Sequence, residues 1–264
     1  MVVFEQLPFH RLENGLLTEI FDRLLRPASA APHSNPVISI AVLQVFGVIV
    51  SITPSHPEVK SEFDALFDWF SCLAFPSPDY RSVVDNNVRY VSIQNLGLTA
   101  NLDPALFLRK MPSLQPLMEE AIRLEKDQSV VIHDLRLLKT IGKSGSSLTD
   151  VESEKRLLHF WLGVLKPKLI DSVEARDCPV LKAALCNAVA EISGSVFCNL
   201  PNDRRMLAVT FMLRLCRDND HRTVTAAVRN CFRSFHLSFC FNFFLNLLSD
   251  ARTWTFGFFA HLTK

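Results

Sequence analysis

The chain lacks an excess of charge of either sign: 28 Lys plus Arg stand against 27 Asp plus Glu in 264 residues. A net charge of +1 supplies no global field to steer the protein towards nucleic acid or an anionic membrane, so any partner must be selected by a local patch. The spacings that carry chemistry are also missing. Seven cysteines (Cys72, Cys178, Cys186, Cys198, Cys216, Cys231 and Cys240) include no CxxC pair, and neither HExxH nor a clustered Cys/His set occurs, so three or four converging zinc ligands are not indicated. No GxSxG elbow is present, and no thiol has a sequence context that would depress its pKa. Gly142-Lys143-Ser144 resembles the end of a phosphate-binding loop, but Leu137 stands where that pattern needs its first glycine and no strand signal precedes it. We read this stretch as a Ser-rich loop, with Ser144, Ser146 and Ser147 as phosphorylation candidates. His133, Asp134 and His159 read as helix-surface or core groups. These absences predict a non-enzymatic chain that needs no cofactor.

A secretory signal is missing from the first residues, which carry neither a basic segment nor a small-residue cleavage site. Reduced core thiols in a cytoplasmic or nuclear protein are therefore expected. A membrane-length apolar run is absent too. The most apolar stretch of the first 230 residues, 37–52, would span only about 24 Å as a helix against a hydrocarbon core of roughly 30 Å, and Gln44 and Gly47 interrupt it. A buried helix is the expectation. Finally, no segment alternates apolar and polar residues for long enough to demand a sheet.

What is present is a hydrophobic content of 48%, enough in a chain of this length to bury roughly three quarters of the unfolded surface. Apolar helical patterns recur, opened by Val37, Val83, Val130, Val180 and Val224 at spacings of 46, 47, 50 and 44 residues. Asp79, Asp127, Asp177 and Asp220 stand just upstream of the last four. Five residues beyond the valines lie Val42, Val88, Leu135, Leu185 and Arg229, and eight beyond lie Val45, Val91, Leu138, Ala188 and Phe232, which traces one helix face towards a shared core. A unit of about 40 to 47 residues built from paired helices has the length of HEAT and armadillo repeats, whose units cannot bury their apolar faces alone.

Individual helices are expected over residues 12–25, 63–75, 83–96, 105–124, 130–141 and 151–170, with Pro112 and Pro116 kinking or dividing the fourth. In the last of these Leu158, Trp161, Leu162, Leu165 and Leu169 form the apolar stripe behind a capping box at residues 149–152. Pro179 opens a further helix that Gly194 closes. Asp203 caps the next, which is apolar around nearly its whole circumference. Loops are expected at residues 27–36, 53–57, 76–78 and 142–147.

The sequences VLKAALCNAVAEIS (residues 180–193), NLPNDRR (199–205) and RTVTAAVR (222–229) together resemble an armadillo-type HEAT-repeat array. The similarity is clearest over residues 150–230, and the helix-pair organisation extends it back to about residue 37. It implies an all-α fold, an α-solenoid of HEAT/armadillo-like helix pairs belonging to a longer protein that acts through its surfaces and has no catalytic chemistry. Residues 1–230 would form this repeat domain. The pattern stops after Asn230: residues 231–264 hold nine of the 21 phenylalanines and no Val, Ile, Glu or Pro. This tail could be a packed terminal helix, a membrane or partner anchor, or an alternative end on a truncated array. The last is favoured, because natural arrays close with polar caps, and such a tail would drive self-association.

One charge cluster stands out. Arg204, Arg205, Arg214, Arg217, Arg222, Arg229 and Arg233 face only Asp203, Asp218 and Asp220. The first five form the candidate interaction edge. A scaffold binding another protein is the leading expectation. The alternative is a basic patch that holds nucleic-acid phosphate or a phosphoinositide, which the absence of interleaved aromatics disfavours for single strands.

Overall fold

The computed structural model describes residues 15–30, 35–52, 56–77, 80 and 83–235, and all regular structure among them is helical. Leu16–Ile20 (α1), a π-helical turn at Phe21–Leu25 and Arg26–Ala30 (α2) lead into Pro36–Ile52 (α3), Pro57–Ser61 (α4) and Phe63–Ala74 (α5). Asn86–Leu102 (α6), Pro104–Leu124 (α7), Gln128–Gly145 (α8), Val151–Val164 (α9) and Pro167–Glu174 (α10) follow. Pro179–Val189 (α11), Gly194–Asn199 (α12), Asn202–Leu215 (α13) and His221–Phe235 (α14) complete the order. None of these helices is long and apolar enough to cross a membrane.

Two residue types set the helix starts. Proline begins α3, α4, α7, α10 and α11, where its missing N–H costs nothing and its fixed φ suits the first turn. Aspartate carboxylates cap α6, α7, α8 and α9, with Asp85, Asp103, Asp127 and Asp150 accepting from the N–H of Asn87, Leu106, Ser129 and Ser153. Asp220 does the same for α14, accepting from the N–H of Arg222 and Thr223. Asp177 instead takes a positive φ of 46° in the turn before α11.

Helix α3 packs on α6, α6 on α8, α8 on α11 and α11 on α14, so five helices form a row. The others lie against one side of it: α5 on α6, α7 on α8, α10 on α11 and α13 on α14, with α9 and α10 also touching α7, and α12 touching α9. From α6 onward, neighbours in the row run the same way. The amino-terminal ends of α6 and α8 are joined by Asn86 Nδ2 donating to Asp127 Oδ2 at 2.7 Å, and their far ends by Ser144 Oγ donating to Asn101 Oδ1. Helix α11 is tied to α14 by Thr223 Oγ1 donating to the Pro179 carbonyl at 3.3 Å and by Asn230 Nδ2 donating to Asn187 Oδ1 at 2.8 Å. Ser146 Oγ, just past α8, reaches the Glu191 carbonyl beyond α11 at 3.1 Å. These ties join residues 41 to 45 apart in sequence.

Between the row and its companions the core is continuous. Its amino-terminal end is aromatic: Phe21 stacks on Phe46 at 5.2 Å, Phe46 meets the edge of Trp69 at 6.0 Å, and Phe67 meets Phe107 at 5.2 Å. Further along, the core includes the fully buried Trp161, which meets Phe160 at 5.0 Å, and Phe211.

Several local expectations are corrected. Helix α7 is undivided: an interior proline costs about 3 kcal/mol, but Pro112 and Pro116 sit on the exposed face while Phe107, Leu108, Met111, Leu114, Met118, Ala121 and Ile122 are buried opposite. At ~1.5–3 kcal/mol for each large apolar side chain, burial on that face outweighs the two prolines. Residues 151–170 form two helices, because Pro167 cannot continue the first and begins the second. The cap of α9 is Asp150 rather than a box built on Thr149. The expected loop at residues 142–147 is largely helix, with Gly142, Ser144 and Gly145 buried. Gly194 opens α12 instead of closing α11, Pro201 rather than Asp203 precedes α13, and Met206 and Thr210 of α13 are exposed.

The five valines mark the row helices but not their shared phase. Val130 is fully buried, whereas Val37, Val83 and Val180 are 74%, 63% and 41% exposed and Val83 precedes its helix altogether. Helix α14 continues across the 230/231 boundary, and Cys231 is buried. The remainder of the Phe-rich tail, and the self-association assigned to it, lie outside the described residues.

Candidate interaction surface

The five arginines of the expected edge are divided between roles. On α13, Arg204 Nη1 donates to the Leu165 carbonyl at 2.6 Å, closing the end of α9, while its Nε lies 3.3 Å from Asp203. Arg214 grips Glu174 of α10 through both Nε and Nη2, at 3.1 and 2.7 Å. Both are thereby held in contacts between helices. Arg205 is half-buried, and Arg217 and Arg222 are exposed, one in the turn after α13 and the other in the first turn of α14. A similar tie occurs one pair earlier, where Arg176 Nη2 donates to the Ile122 carbonyl at 2.7 Å near the end of α7. Arginine thus satisfies carbonyls that a helix end leaves open.

Charge is partitioned between the two sets of helices. In the companions α5, α7, α9, α10, α12 and α13, nine basic residues balance nine acidic ones. Several form ion pairs, among them Lys110 with Asp64 and Arg156 with Glu152. The row helices carry eight basic residues and a single acidic one, the buried Asp134. Three of the eight face carboxylates: Arg89 meets Glu125 at 2.6 Å, Lys182 meets Asp218 at 3.0 Å, and Lys139 lies 4.0 Å from Glu191. Arg136, Lys143, Arg222 and Arg229 are exposed and make no ion pair among the described residues.

Helical spacing places these side chains on the row's open face. The less buried stripe of α8 is His133, Arg136, Thr140 and Lys143, and that of α14 is Arg222, Thr225, Ala226 and Arg229. Between them α11 offers Val180, Ala183, Ala184 and Asn187, none of them charged. The stripe is different at the other end of the row: Val37, Ala41, Gln44 and Val48 on α3, then Tyr90, Val91, Gln94 and Leu98 on α6. The open face is therefore uncharged over α3, α6 and α11 and basic on α8 and α14.

A polar cluster lies at the seam. Tyr90 of α6 stacks on His133 of α8 with ring centroids 5.0 Å apart, and its hydroxyl donates to Asp127 at 3.1 Å. Burial and Arg136 hold the His133 imidazole below its usual pKa. Burial and the Asp127 carboxylate push the Tyr90 phenol up. Neutral rings at neutral pH make this seam a rigid join. No group of three or more His, Cys, Asp or Glu that could hold a metal occurs among the described residues.

Reading the sequence alone singled out Arg222 and Arg229 but missed Arg136 and Lys143. Their signal was available only after helix boundaries were known, as the imbalance between alternate helices. No protein-family model matches this chain, and no solved structure matches it.

Proposed function

We propose that the chain is an α-solenoid of HEAT/armadillo-like helix pairs acting as a non-enzymatic scaffold, and that the open face of α3, α6, α8, α11 and α14 binds a partner protein. The partner segment is apolar where it crosses α3 and α6 and acidic where it crosses α8 and α14. One observation carries this reading: among the described helices the charge excess lies on the row, where Arg136, Lys143, Arg222 and Arg229 are exposed without a side-chain ion pair. Unpaired like charges on one face repel one another, so a matching anionic surface gains both attraction and relief. Ala183 and Ala184 of α11 leave room for main chain between the two basic stripes. The apolar half favours a polypeptide over nucleic acid, whose phosphates gain nothing from Val37, Val48 or Val91.

The test is fluorescence-anisotropy binding of a synthetic peptide whose first half is leucine-rich and whose second half is glutamate-rich. Single-stranded DNA, duplex DNA and phosphoinositide-containing vesicles are run beside it. The peptide is expected to bind in a salt-dependent manner, and Arg136→Glu with Arg229→Glu to weaken it about tenfold or more without changing the helical circular dichroism. Tighter binding to DNA or vesicles, or an unchanged affinity in the double variant, would overturn the reading.

A further inference from the structure

Three thiols from three segments converge at the end of the described chain. Cys186 lies on α11, Cys216 closes α13 as its C-cap, and Cys231 lies on α14. The Sγ atoms of Cys216 and Cys231 are 4.0 Å apart, although fifteen residues separate them in sequence. Cys186 is fully buried and accepts from Asn230 Nδ2 at 3.6 Å. Cys216 is only half-buried, whereas Cys231 is 4% exposed. The pair therefore consists of one sulfur that a small solute can reach and one that it cannot.

We propose that Cys216 and Cys231 form a dithiol that a hydroperoxide oxidises to a disulfide, tying the end of α13 to α14. The accessible Cys216 thiolate attacks one oxygen of hydrogen peroxide, the O–O bond breaks, and the departing hydroxide takes a proton to leave as water. Cys216 is then a sulfenic acid. The Cys231 sulfur attacks the Cys216 sulfur, the S–O bond breaks, and the hydroxide leaves with the Cys231 proton as a second water. Two thiols lose two electrons and one peroxide gains them.

The surroundings assign the order of the two steps. The hydrogen bond between the two thiols and the positive charge of Arg217 together outweigh burial and lower the Cys216 pKa. The same bond to Cys216, together with burial, pushes Cys231 up. Burial also pushes Cys186 up, to about 11, which leaves it a poor nucleophile. The sulfurs must close by about 2 Å to reach bonding distance. Cys216 lies at a helix end, followed by a turn, where such an approach disturbs no helix interior. The bond would fasten the last companion helix to the row helix that carries Arg222 and Arg229.

The experiment uses the full chain with Cys240→Ser, so that the mapping covers the six described thiols. The protein is exposed to limiting hydrogen peroxide, alkylated under denaturing conditions and mapped by mass spectrometry. A Cys216–Cys231 cross-link that dithiothreitol reverses is expected, forming about tenfold faster than oxidation of the exposed, solitary Cys72 or Cys198. In Cys231→Ser, dimedone is expected to trap a sulfenic acid on Cys216. In Cys216→Ser, Cys231 is expected to remain a thiol. The proposal is overturned if both sulfurs stay alkylable at doses that oxidise Cys72, if the cross-link joins other cysteines, or if Cys231→Ser yields no adduct on Cys216. Thermal melts of both variants verify that these outcomes come from folded protein.

Discussion

Arg89 and Glu125 form an ion pair at 2.6 Å in which the side chains keep only 3% and 10% of their exposure. Arg89 lies in the first turn of α6, while Glu125 follows α7 and accepts from the N–H of Lys126 and Asp127 as the chain turns into α8. One guanidinium thus joins three helices, and its removal strands a desolvated carboxylate.

Arg89→Ala is accordingly expected to lower unfolding stability by about 3 kcal/mol, the scale for breaking one side of a buried pair. Urea denaturation measures this. Adding Glu125→Gln should cost less in the Arg89→Ala background than alone, with a coupling of at least about 1 kcal/mol. Additive losses would show that the two side chains act independently.

Stability is expected to be greatest between about pH 7 and 8.5 and to fall on both sides. His133 is held below its ordinary value, so as pH drops through about 6.5 the unfolded chain binds a proton that the folded chain does not, and stability is lost first there. A second loss comes in acid. Burial acts to raise Glu125 and Asp127, but N–H donors together with Arg89 and Tyr90 respectively leave both below their usual range. Asp218 is lowered by the Asp220 N–H first and by Lys182 as well. These contributions are present above the unfolded values and vanish as pH falls through the folded ones. On the alkaline side an unfolded Cys186 ionises near 9.0 while the folded thiol holds its proton to about 11, so stability declines between those values. His133→Phe keeps a ring on Tyr90 and should remove the loss between about pH 7 and 5 while sparing the acid limb. An unaltered slope there would refute the assignment.

Close packing forces Gly142. A Cβ at this position would stand 2.6 Å from Trp161 Cζ2 and 3.2 Å from Glu191 Cβ, and the Trp161 ring is fully buried with nowhere to retreat. Gly142→Ala would gain about 1 kcal/mol of helix propensity and lose about 1–3 kcal/mol to overpacking, so lower thermal stability is expected. Gly163→Ala is expected to be close to neutral, because its Cβ meets only the end of the flexible Gln115 side chain, which can swing away at the loss of its bond to the Phe160 carbonyl. Equal effects in the two variants would contradict this contrast.

Arg204 and Arg222 should separate structure from surface. Arg204→Ala removes a charged donor from the Leu165 carbonyl and is expected to cost about 1.5–3 kcal/mol. Arg222→Ala, exposed and without an ion pair among the described residues, should stay within about 0.5 kcal/mol of the parent. Chemical denaturation of both variants decides the matter, and the reverse ranking would return Arg204 to the interaction edge.

Much of the fold was legible as local pattern. Helices at residues 63–75, 105–124 and 130–141 follow from apolar spacing, and their observed bounds lie close by at Phe63–Ala74, Pro104–Leu124 and Gln128–Gly145. Asp127 was visible just upstream of Val130, and its carboxylate caps α8 through the N–H of Ser129. Phase was not legible. Val130 is core while Val180 is surface, since Leu181 takes the buried position one residue on, and spacing by eye cannot resolve a rotation of one residue. The arginine cluster failed for a related reason: the carbonyl of Leu165 and the carboxylate of Glu174, which engage Arg204 and Arg214, lie 39 and 40 residues away.

The sequence by itself determined the helical class and the approximate positions of several helices, because each depends on interactions within a few turns of chain. Tertiary structure alone decided which face of each helix is covered, which arginines are engaged by a neighbouring helix and which stand free on the row. Those outcomes depend on side chains some forty residues apart meeting within about 3 Å, and no local pattern in the chain encodes which of them will meet.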